Sequence, residues 1–378
     1  MTIPLRILLA DDSVTVRRLL TETLSSDPSL EVCLAARNGQ EAVTQFSLVM
    51  PDVVVLDVEM PVMDGIEAVA AIRKMNAHVP IIMFSSLTTR GGEATLDALT
   101  NGATDYSTKP ARVGHLQVAV DHIRNELIPM IKHWGNWYHE HLQSPRVSQP
   151  KTSVERIPEV SRHREPVSMA PRTSPFAERP VEIVAVGVST GGPSALADVL
   201  KSIPKQFPVP IVIVQHMPPL FTGLLAERLN QVCPLSVQEA QEGVILGAGH
   251  VWIAPGDEHL VVEKSGAQLR LRLDHGPAVN SCRPSVDVLF RSVAETVGGN
   301  SVGVVLTGMG QDGLEGCRRI HAKGGKVIAQ DQATSVVWGM PRAVAEAGIA
   351  DKILPLQKIS EELIRLSRIG RSAASVVH

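Results

Sequence analysis

Ile183-Val184-Ala185-Val186-Gly187-Val188-Ser189-Thr190-Gly191-Gly192 decides the reading of this chain. Its apolar run predicts a buried strand, and the glycines that follow predict a sharp turn into a helix. A serine on such a turn faces backbone N–H groups at the helix start, where a tetrahedral oxyanion is stabilised. Ser189 is therefore the candidate nucleophile, with Thr190 and Gly191 in support of the oxyanion. The competing reading, a phosphate or nucleotide cradle, needs G-x-G-x-x-G or a Walker spacing, and neither is present.

A serine nucleophile needs a base and a group to orient that base. His216 ends the apolar strand Ile211-Val212-Ile213-Val214-Gln215 and is followed by Met217-Pro218-Pro219. Asp312 lies in Thr307-Gly308-Met309-Gly310-Gln311-Asp312-Gly313, after another apolar strand. Three groups leaving three strand termini on one rim are what a Ser, His, Asp relay requires. Their chain order departs from the usual α/β-hydrolase order, which would make His321 the base. His321 sits in Ile320-His321-Ala322-Lys323, the tail of a helix, so His216 is preferred. Further strands are expected at 182–187, 210–215, 250–254, 259–263, 268–273, 301–306 and 325–330. Val286, Leu289, Phe290, Val293 and Val297 mark an amphipathic helix, with Pro284 expected in its first turn and Asp287 at its positive end.

Upstream, short apolar runs near 5–10, 30–35, 52–57, 80–85 and 104–107 alternate with amphipathic segments. Val16, Leu19 and Leu20 share one helix face; Ile66, Val69, Ala70 and Ile72 share another. Five strands and five helices in this pattern predict a doubly wound parallel sheet whose crevice lies at the carboxyl strand ends. Asp11 and Asp12 follow the first strand, Asp57 ends the third, Ser85 and Ser86 the fourth, and Lys109-Pro110 follows the fifth. Carboxylates converging on one rim repel unless a hard cation joins them, and Mg²⁺ meets that need.

The 378 residues favour two domains. A net charge of -3 and a pI near 6.5 argue against a nucleic-acid groove, leaving a protein or small molecule as partner. Cys33, Cys233, Cys282 and Cys317 lack CxxC spacing, so neither disulfides nor a zinc site is expected, only reduced thiols. Without a run of about 18 apolar residues, a soluble cytoplasmic protein with no membrane insertion is expected. Residues 115–142 read as an extension of the last helix, with Leu116, Val120, Ile123, Leu127 and Met130 or Ile131 on one side and a kink at Pro129. His133, Trp134, Trp137, Tyr138, His139 and His141 read as a lid or interface segment rather than a metal site. From Ser144 to Pro180, seven prolines and little apolar periodicity mark a linker.

Residues 3–125 resemble a bacterial two-component receiver domain, through Ala10-Asp11-Asp12-Ser13, the run Leu56-Asp57 to Asp64-Gly65, Phe84-Ser85-Ser86 and Lys109-Pro110. That resemblance implies a flavodoxin-like sheet in the order 2-1-3-4-5. It makes Asp57 the phosphoryl acceptor, places Mg²⁺ on Asp11, Asp12 and Asp57, pairs Lys109 with the phosphoryl charge and gives Ser85 the closing hydrogen bond. Tyr106 occupies the switch-aromatic position, with simple strand packing as its other reading.

Residues 181 to about 368 resemble the catalytic domain of CheB-type chemotaxis protein-glutamate methylesterases. The matching pieces are Val186-Gly187-Val188-Ser189-Thr190-Gly191-Gly192-Pro193, Val214-Gln215-His216-Met217-Pro218, Arg283-Pro284-Ser285-Val286-Asp287 and Leu306-Thr307 through Asp312-Gly313. The resemblance implies a second doubly wound α/β domain with a mainly parallel sheet. Ser189 is then the nucleophile, His216 the base and later acid, Asp312 its orienter, and Met309 N–H an oxyanion donor; the esterase reaction uses no cofactor. The expected division is 1–125 receiver, 126–180 helix extension and linker, 181–370 catalytic domain and 371–378 tail. The implied activity is phosphorylation-controlled hydrolysis of γ-glutamyl methyl esters on methyl-accepting chemotaxis receptors, with glutamine deamidation besides. A histidine kinase would be phosphodonor and the protein a monomer. Two other readings stay open at this point: a response regulator without enzymatic activity, although no helix-turn-helix pattern follows residue 180, and a general small-ester hydrolase.

Overall fold

A computed structural model describes residues 3–86, 88–109, 116–139 and 179–369. Pro110, His115, His141, the linker up to residue 178 and the tail 371–378 lie outside the described residues.

The first half is a five-stranded parallel sheet of β1 (Leu5–Ala10), β2 (Leu30–Ala36), β3 (Val53–Asp57), β4 (Ile81–Ser85) and β5 (Asp105–Thr108), ordered β2-β1-β3-β4-β5. β3 and β4 are buried on both faces, which is why they read as unbroken apolar runs. Helices α1 (Val14–Ser25), α2 (Gly39–Val49), α3 (Gly65–Met75) and α4 (Thr89–Thr100) cover the sheet. Ser13, Asn38 and Asp64 cap the first three through their side chains, and Asp64 forms a reciprocal capping box with Glu67. On α3, Ala68 rather than Ala70 joins Val69 and Ile72 in the core.

The helix that follows β5 is longer than a crossover needs. It runs through α5 (Leu116–His122), a π-helical turn (Ile123–Leu127) and α6 (Ile128–Tyr138). The expected disturbance at Pro129 is taken up by that π turn, which ends just before Pro129 in the first turn of α6. Ile123, Leu127, Ile131 and Trp134 are buried against the five-stranded sheet. Trp134 Nε1 donates to Asp105 Oδ2 at 3.2 Å, and Asn76 Nδ2 donates to the Tyr138 hydroxyl at 2.8 Å. His133 and Trp137 reach toward the second half, lining a groove with Trp338 and Arg342.

The second half carries a seven-stranded parallel sheet of β6 (Ile183–Val188), β7 (Ile211–Gln215), β8 (Ser236–Glu239), β9 (His250–Ile253), β12 (Ser301–Val305), β13 (Lys326–Gln330) and β14 (Lys352–Leu354). Its order is β14-β13-β12-β6-β7-β9-β8. β10 (His259–Ser265) and β11 (Gln268–Asp274) form a separate antiparallel pair. Helices α7 (Gly192–Lys201), α8 (Phe221–Val232), α9 (Val286–Thr296), α10 (Leu314–Ala322), α11 (Met340–Glu346) and α12 (Leu356–Ser367) flank the sheet. β8 and β14, absent from the sequence-based expectation, are the two edge strands. They are short and partly exposed, so the buried apolar run that signals an inner strand is missing. α9 buries Val286, Leu289, Phe290 and Val293 as its periodicity predicts. Pro284 is not in its first turn; it precedes the N-cap Ser285 and follows a cis peptide bond.

The two halves pack directly. α4 meets α8 so closely that a β-carbon on Gly92 would lie 2.7 Å from Leu224. The Tyr106 ring stacks on Phe221 with centroids 5.2 Å apart and planes 11° from parallel, and Arg228 pairs with Asp97.

Candidate active site

β6 is the centre of the second sheet, with β7 on one side and β12 on the other. Val188 pairs with Gln215, so Ser189 and His216 leave adjacent strands on the same rung. Asp312 comes from the loop after β12. All three sequence-predicted residues thus stand at the carboxyl ends of neighbouring strands, where α/β sheets bind ligands.

Ser189 is fixed through its backbone. Its N–H donates to Thr307 O at 3.0 Å, and its carbonyl accepts from Gln215 Nε2 at 2.9 Å and Gly192 N at 2.8 Å. Thr307 Oγ1 donates to Thr190 O at 2.9 Å, bracing the same turn. Two glycines permit this geometry. Gly191 has φ +76, and a β-carbon on Gly308 would lie 2.8 Å from Ser189 Cβ. Among the described residues nothing accepts from the N–H of Thr190, Gly191 or Met309, so these donors are free to meet an oxyanion.

His216 and Asp312 are joined by a 2.9 Å bond between Nε2 and Oδ2. Beside a carboxylate, Nε2 is the protonated nitrogen, which leaves the Nδ1 lone pair as the basic one. Burial opposes charge on the imidazole, but the bond to Asp312 and the neighbouring Cys282 outweigh it and raise His216 to about 9. Ser189 and His216 line one cavity without a hydrogen bond between the serine hydroxyl and the ring; Nδ1 instead faces Cys282 Sγ at 3.7 Å.

Asp312 is 3% exposed and is held by groups to which sequence reasoning gave no part in the relay. Oδ1 accepts from Ser285 Oγ at 2.8 Å, Asn280 Nδ2 at 2.9 Å and Asp287 N at 3.2 Å; Oδ2 accepts from Val286 N at 2.7 Å. The carboxylate therefore caps α9 from outside, taking the place of the N-cap side chain and lying at the positive end of the helix. Burial penalises its charge, yet these bonds and His216 hold it down at about 2. Asp287, expected only to complement the dipole, accepts from Gly316 N at 2.7 Å and Asn280 Nδ2 at 2.8 Å. Burial raises its pKa. His321 is exposed at the end of α10.

The receiver lies over this rim. Asp105, Tyr106, Ser107 and Thr108 of β5 line a cavity of about 290 Å³ together with Ser189 and His216. Asp105 reaches Thr190 through a side-chain hydrogen bond; its burial raises it to about 6.

At the receiver's own rim, Lys109 Nζ lies 2.7 Å from both Asp57 Oδ2 and Asp11 Oδ2. Burial raises Asp57 to about 6 despite the lysine, with Asp11 adding to the effect. Burial works against charge on Lys109, and the two carboxylates overcome it and raise its pKa. Oxygens of Asp11, Asp12 and Asp57 lie within 4.8 Å of one another. Ser85 Oγ is turned away, donating to Gly91 O at 3.1 Å at the start of α4.

Comparison with known proteins finds matches in both halves. The model for the response regulator receiver domain matches residues 7–121, and that for CheB methylesterase matches residues 184–363. A protein-glutamate methylesterase/protein-glutamine glutaminase of Trichodesmium erythraeum is 49% identical over 97% of this chain and 99% of its own length. One from Nocardioides is 47% identical over 99% of this chain and 98% of its own. The crystal structure of the Thermotoga maritima CheB methylesterase catalytic domain is 46% identical, covers 49% of this chain and 98% of its own, and has a TM-score of 0.49. On the extent and identity of the matches to these two full-length relatives, and on the two family models, the chain belongs to the protein-glutamate methylesterase/protein-glutamine glutaminase family, with a receiver domain joined to a CheB methylesterase domain.

Proposed function

We propose that residues 181–370 hydrolyse γ-glutamyl methyl esters on methyl-accepting chemotaxis receptors, and deamidate receptor glutamines, under control of the receiver at 1–125. The observation that carries this reading is the convergence of Ser189, His216 and Asp312 at three adjacent strand ends, with the base already bonded to its orienter. As substrate enters, the Ser189 hydroxyl closes on Nδ1 of His216 and attacks the ester carbonyl; its proton passes to the ring. The oxyanion is held by the free N–H of Met309, with Thr190 and Gly191 in support. Collapse of the intermediate expels methanol, which takes the proton from His216. Water, deprotonated by the same ring, then attacks the acyl-enzyme and restores glutamate and Ser189. Asp312 stays ionised and keeps the imidazole oriented. A glutamine amide follows the same path with ammonia as leaving group.

Control begins at Asp57, which would take a phosphoryl group from a histidine kinase. The carboxylates of Asp11, Asp12 and Asp57 fit a hard divalent cation, because clustered oxygen donors of this kind suit Mg²⁺ and tolerate one another when it is shared. When bound, Mg²⁺ neutralises charge on the phosphoryl oxygens. Lys109 would pair with that charge, a reading supported by its 2.7 Å contact with Asp57 Oδ2. Ser85 must release Gly91 O to reach it, which pulls on the first turn of α4, and α4 packs on the catalytic half. Tyr106, on the neighbouring strand, stacks on Phe221 of the other domain, which supports its reading as the switch aromatic. The chain is proposed to act as a monomer in the cytoplasm; among the described residues no helix is long and apolar enough to cross a membrane.

Methanol release from methylated receptor membranes, with and without phosphodonor, tests the assignment. Ser189→Ala should lose roughly 10⁴- to 10⁶-fold in turnover. Methanol release by that variant at the unsubstituted rate, or efficient hydrolysis of small aryl esters with none of receptor, would overturn it.

A further inference from the structure

We propose that His216 and Cys282 form a binding site for a thiophilic divalent cation such as Zn²⁺, and that filling it inhibits the esterase. The inhibitory part rests on His216 acting as the base.

The site is built by a two-residue turn. Val279 and Cys282 exchange backbone hydrogen bonds of 3.0 and 2.9 Å, and Asn280 and Ser281 between them have φ of +52 and +62. Positive φ at both central residues is the type I′ geometry, uncommon outside glycine. The turn is keyed to the relay by Asn280 Nδ2, which donates to both Asp312 and Asp287. That anchoring sets Cys282 Sγ 3.7 Å from His216 Nδ1.

This spacing fits one edge of a zinc tetrahedron. Bonds of about 2.3 Å to sulfur and about 2.0–2.1 Å to nitrogen, at the tetrahedral angle, put the two ligand atoms about 3.6 Å apart. The other ring nitrogen donates to Asp312 Oδ2 at 2.9 Å, the carboxylate–histidine arrangement that orients an imidazole toward a metal and strengthens its donation. The thiol is half-buried rather than sealed, and besides the contact to His216 Nδ1 it makes a weak one to Asn280 O at 3.4 Å. On binding, the thiol proton goes to solvent, sulfur and Nδ1 each donate a lone pair, and water fills the remaining positions. The Nδ1 lone pair is then no longer available to the Ser189 proton. Cysteine spacing gave no hint of this site, because its two ligands are 66 positions apart in the chain.

The test uses the full chain, freed of metal by a chelator, with Co²⁺ alone as the spectroscopic probe and Zn²⁺ as competitor. One equivalent of Co²⁺ should produce a thiolate-to-cobalt charge-transfer band that Zn²⁺ removes. The band should be missing in Cys282→Ser, Cys282→Ala and His216→Ala. In the methanol assay, with phosphodonor and excess Mg²⁺, Zn²⁺ should abolish turnover and chelator restore it. Cys282→Ser, compared with its own metal-free rate, should need upward of about 10-fold more Zn²⁺ for the same fractional inhibition, since losing a direct ligand costs at least as much as losing an outer-shell partner. A band that survives in both Cys282 variants, or equal Zn²⁺ sensitivity of Cys282→Ser and unsubstituted chain, overturns the proposal. No methanol release by metal-free unsubstituted chain would count against the esterase assignment instead, and the cobalt band would still report on the site.

Discussion

Loosening the receiver from the catalytic rim should activate the enzyme without phosphorylation, by an amount that the contacts between the domains set. The Arg228 and Asp97 side chains are 36% and 44% exposed, so their pair is worth only about 0.2–1 kcal/mol. The Tyr106–Phe221 stack adds about 0.5–1.5 kcal/mol beyond its buried area. Converted to equilibrium constants, Asp97→Ala shifts the covered-to-open ratio about 1.4- to 5-fold, and Tyr106→Leu about 2- to 13-fold. Where the covered form dominates, basal turnover rises by the same factors, and the double variant by about 3- to 70-fold if the two contacts are independent. The assay is methanol release by full-length chain without phosphodonor. The increase should persist in an Asp57→Ala background, because it acts downstream of the phosphoryl site. The charge-reversed pair Asp97→Arg with Arg228→Asp should restore the low basal rate. Unchanged basal turnover in Asp97→Ala and Tyr106→Leu, with normal maximal rates, would refute the covering contacts as the source of control.

Two further outcomes follow from the relay. Because Asp312 and Cys282 together raise His216 to about 9 and the base works only when neutral, kcat/KM should climb with pH through a limb above the ordinary imidazole value. In Asp312→Asn one of the two raising partners is gone while burial and Cys282 remain, so the limb of the residual activity should move to lower pH; a limb unmoved by the substitution would disprove the link. Ser285→Ala removes one hydrogen bond from a buried carboxylate and should cost about 1.5–3 kcal/mol in denaturant unfolding of the full chain. A loss under about 0.5 kcal/mol would mean that the remaining donors hold Asp312 unaided.

Much of this was legible because the informative residues sit where strands end. Unbroken apolar runs such as Val53–Asp57 and Ile211–Gln215 mark strands buried on both faces, and the polar residue that stops each run is held at the crevice. The edge strands Ser236–Glu239 and Lys352–Leu354 lack that signal because one side meets solvent. Partners of the relay were hidden for another reason. Ser285 and Asn280 reach Asp312 from 27 and 32 positions away, and their chemistry depends on a helix N-terminus and a left-handed turn that only the folded chain brings together. Trp134 and Tyr138 were visible as an aromatic cluster, but their burial on the receiver follows from a π turn that periodicity does not announce.

The unusual chain order of serine, base and acid has a topological cause. From β6 the chain first builds one side of the sheet, through β7 and out to β9 and β8, before returning to lay down β12 on the other side. The base sits at the end of β7 and the acid beyond β12, so winding alone puts His216 before Asp312. The return passes through α9, whose first residue packs against Gly187 of β6 at the point where the strand order reverses. Its N-terminus therefore opens onto the same crevice as Ser189, and an anion is expected there. In many α/β folds a ligand's phosphate takes that place; here the chain's own Asp312 does, accepting Val286 N and Asp287 N. Occupying the anion site with a side chain makes the crevice unfit for a phosphate, and it supplies the permanently charged orienter that a serine relay needs.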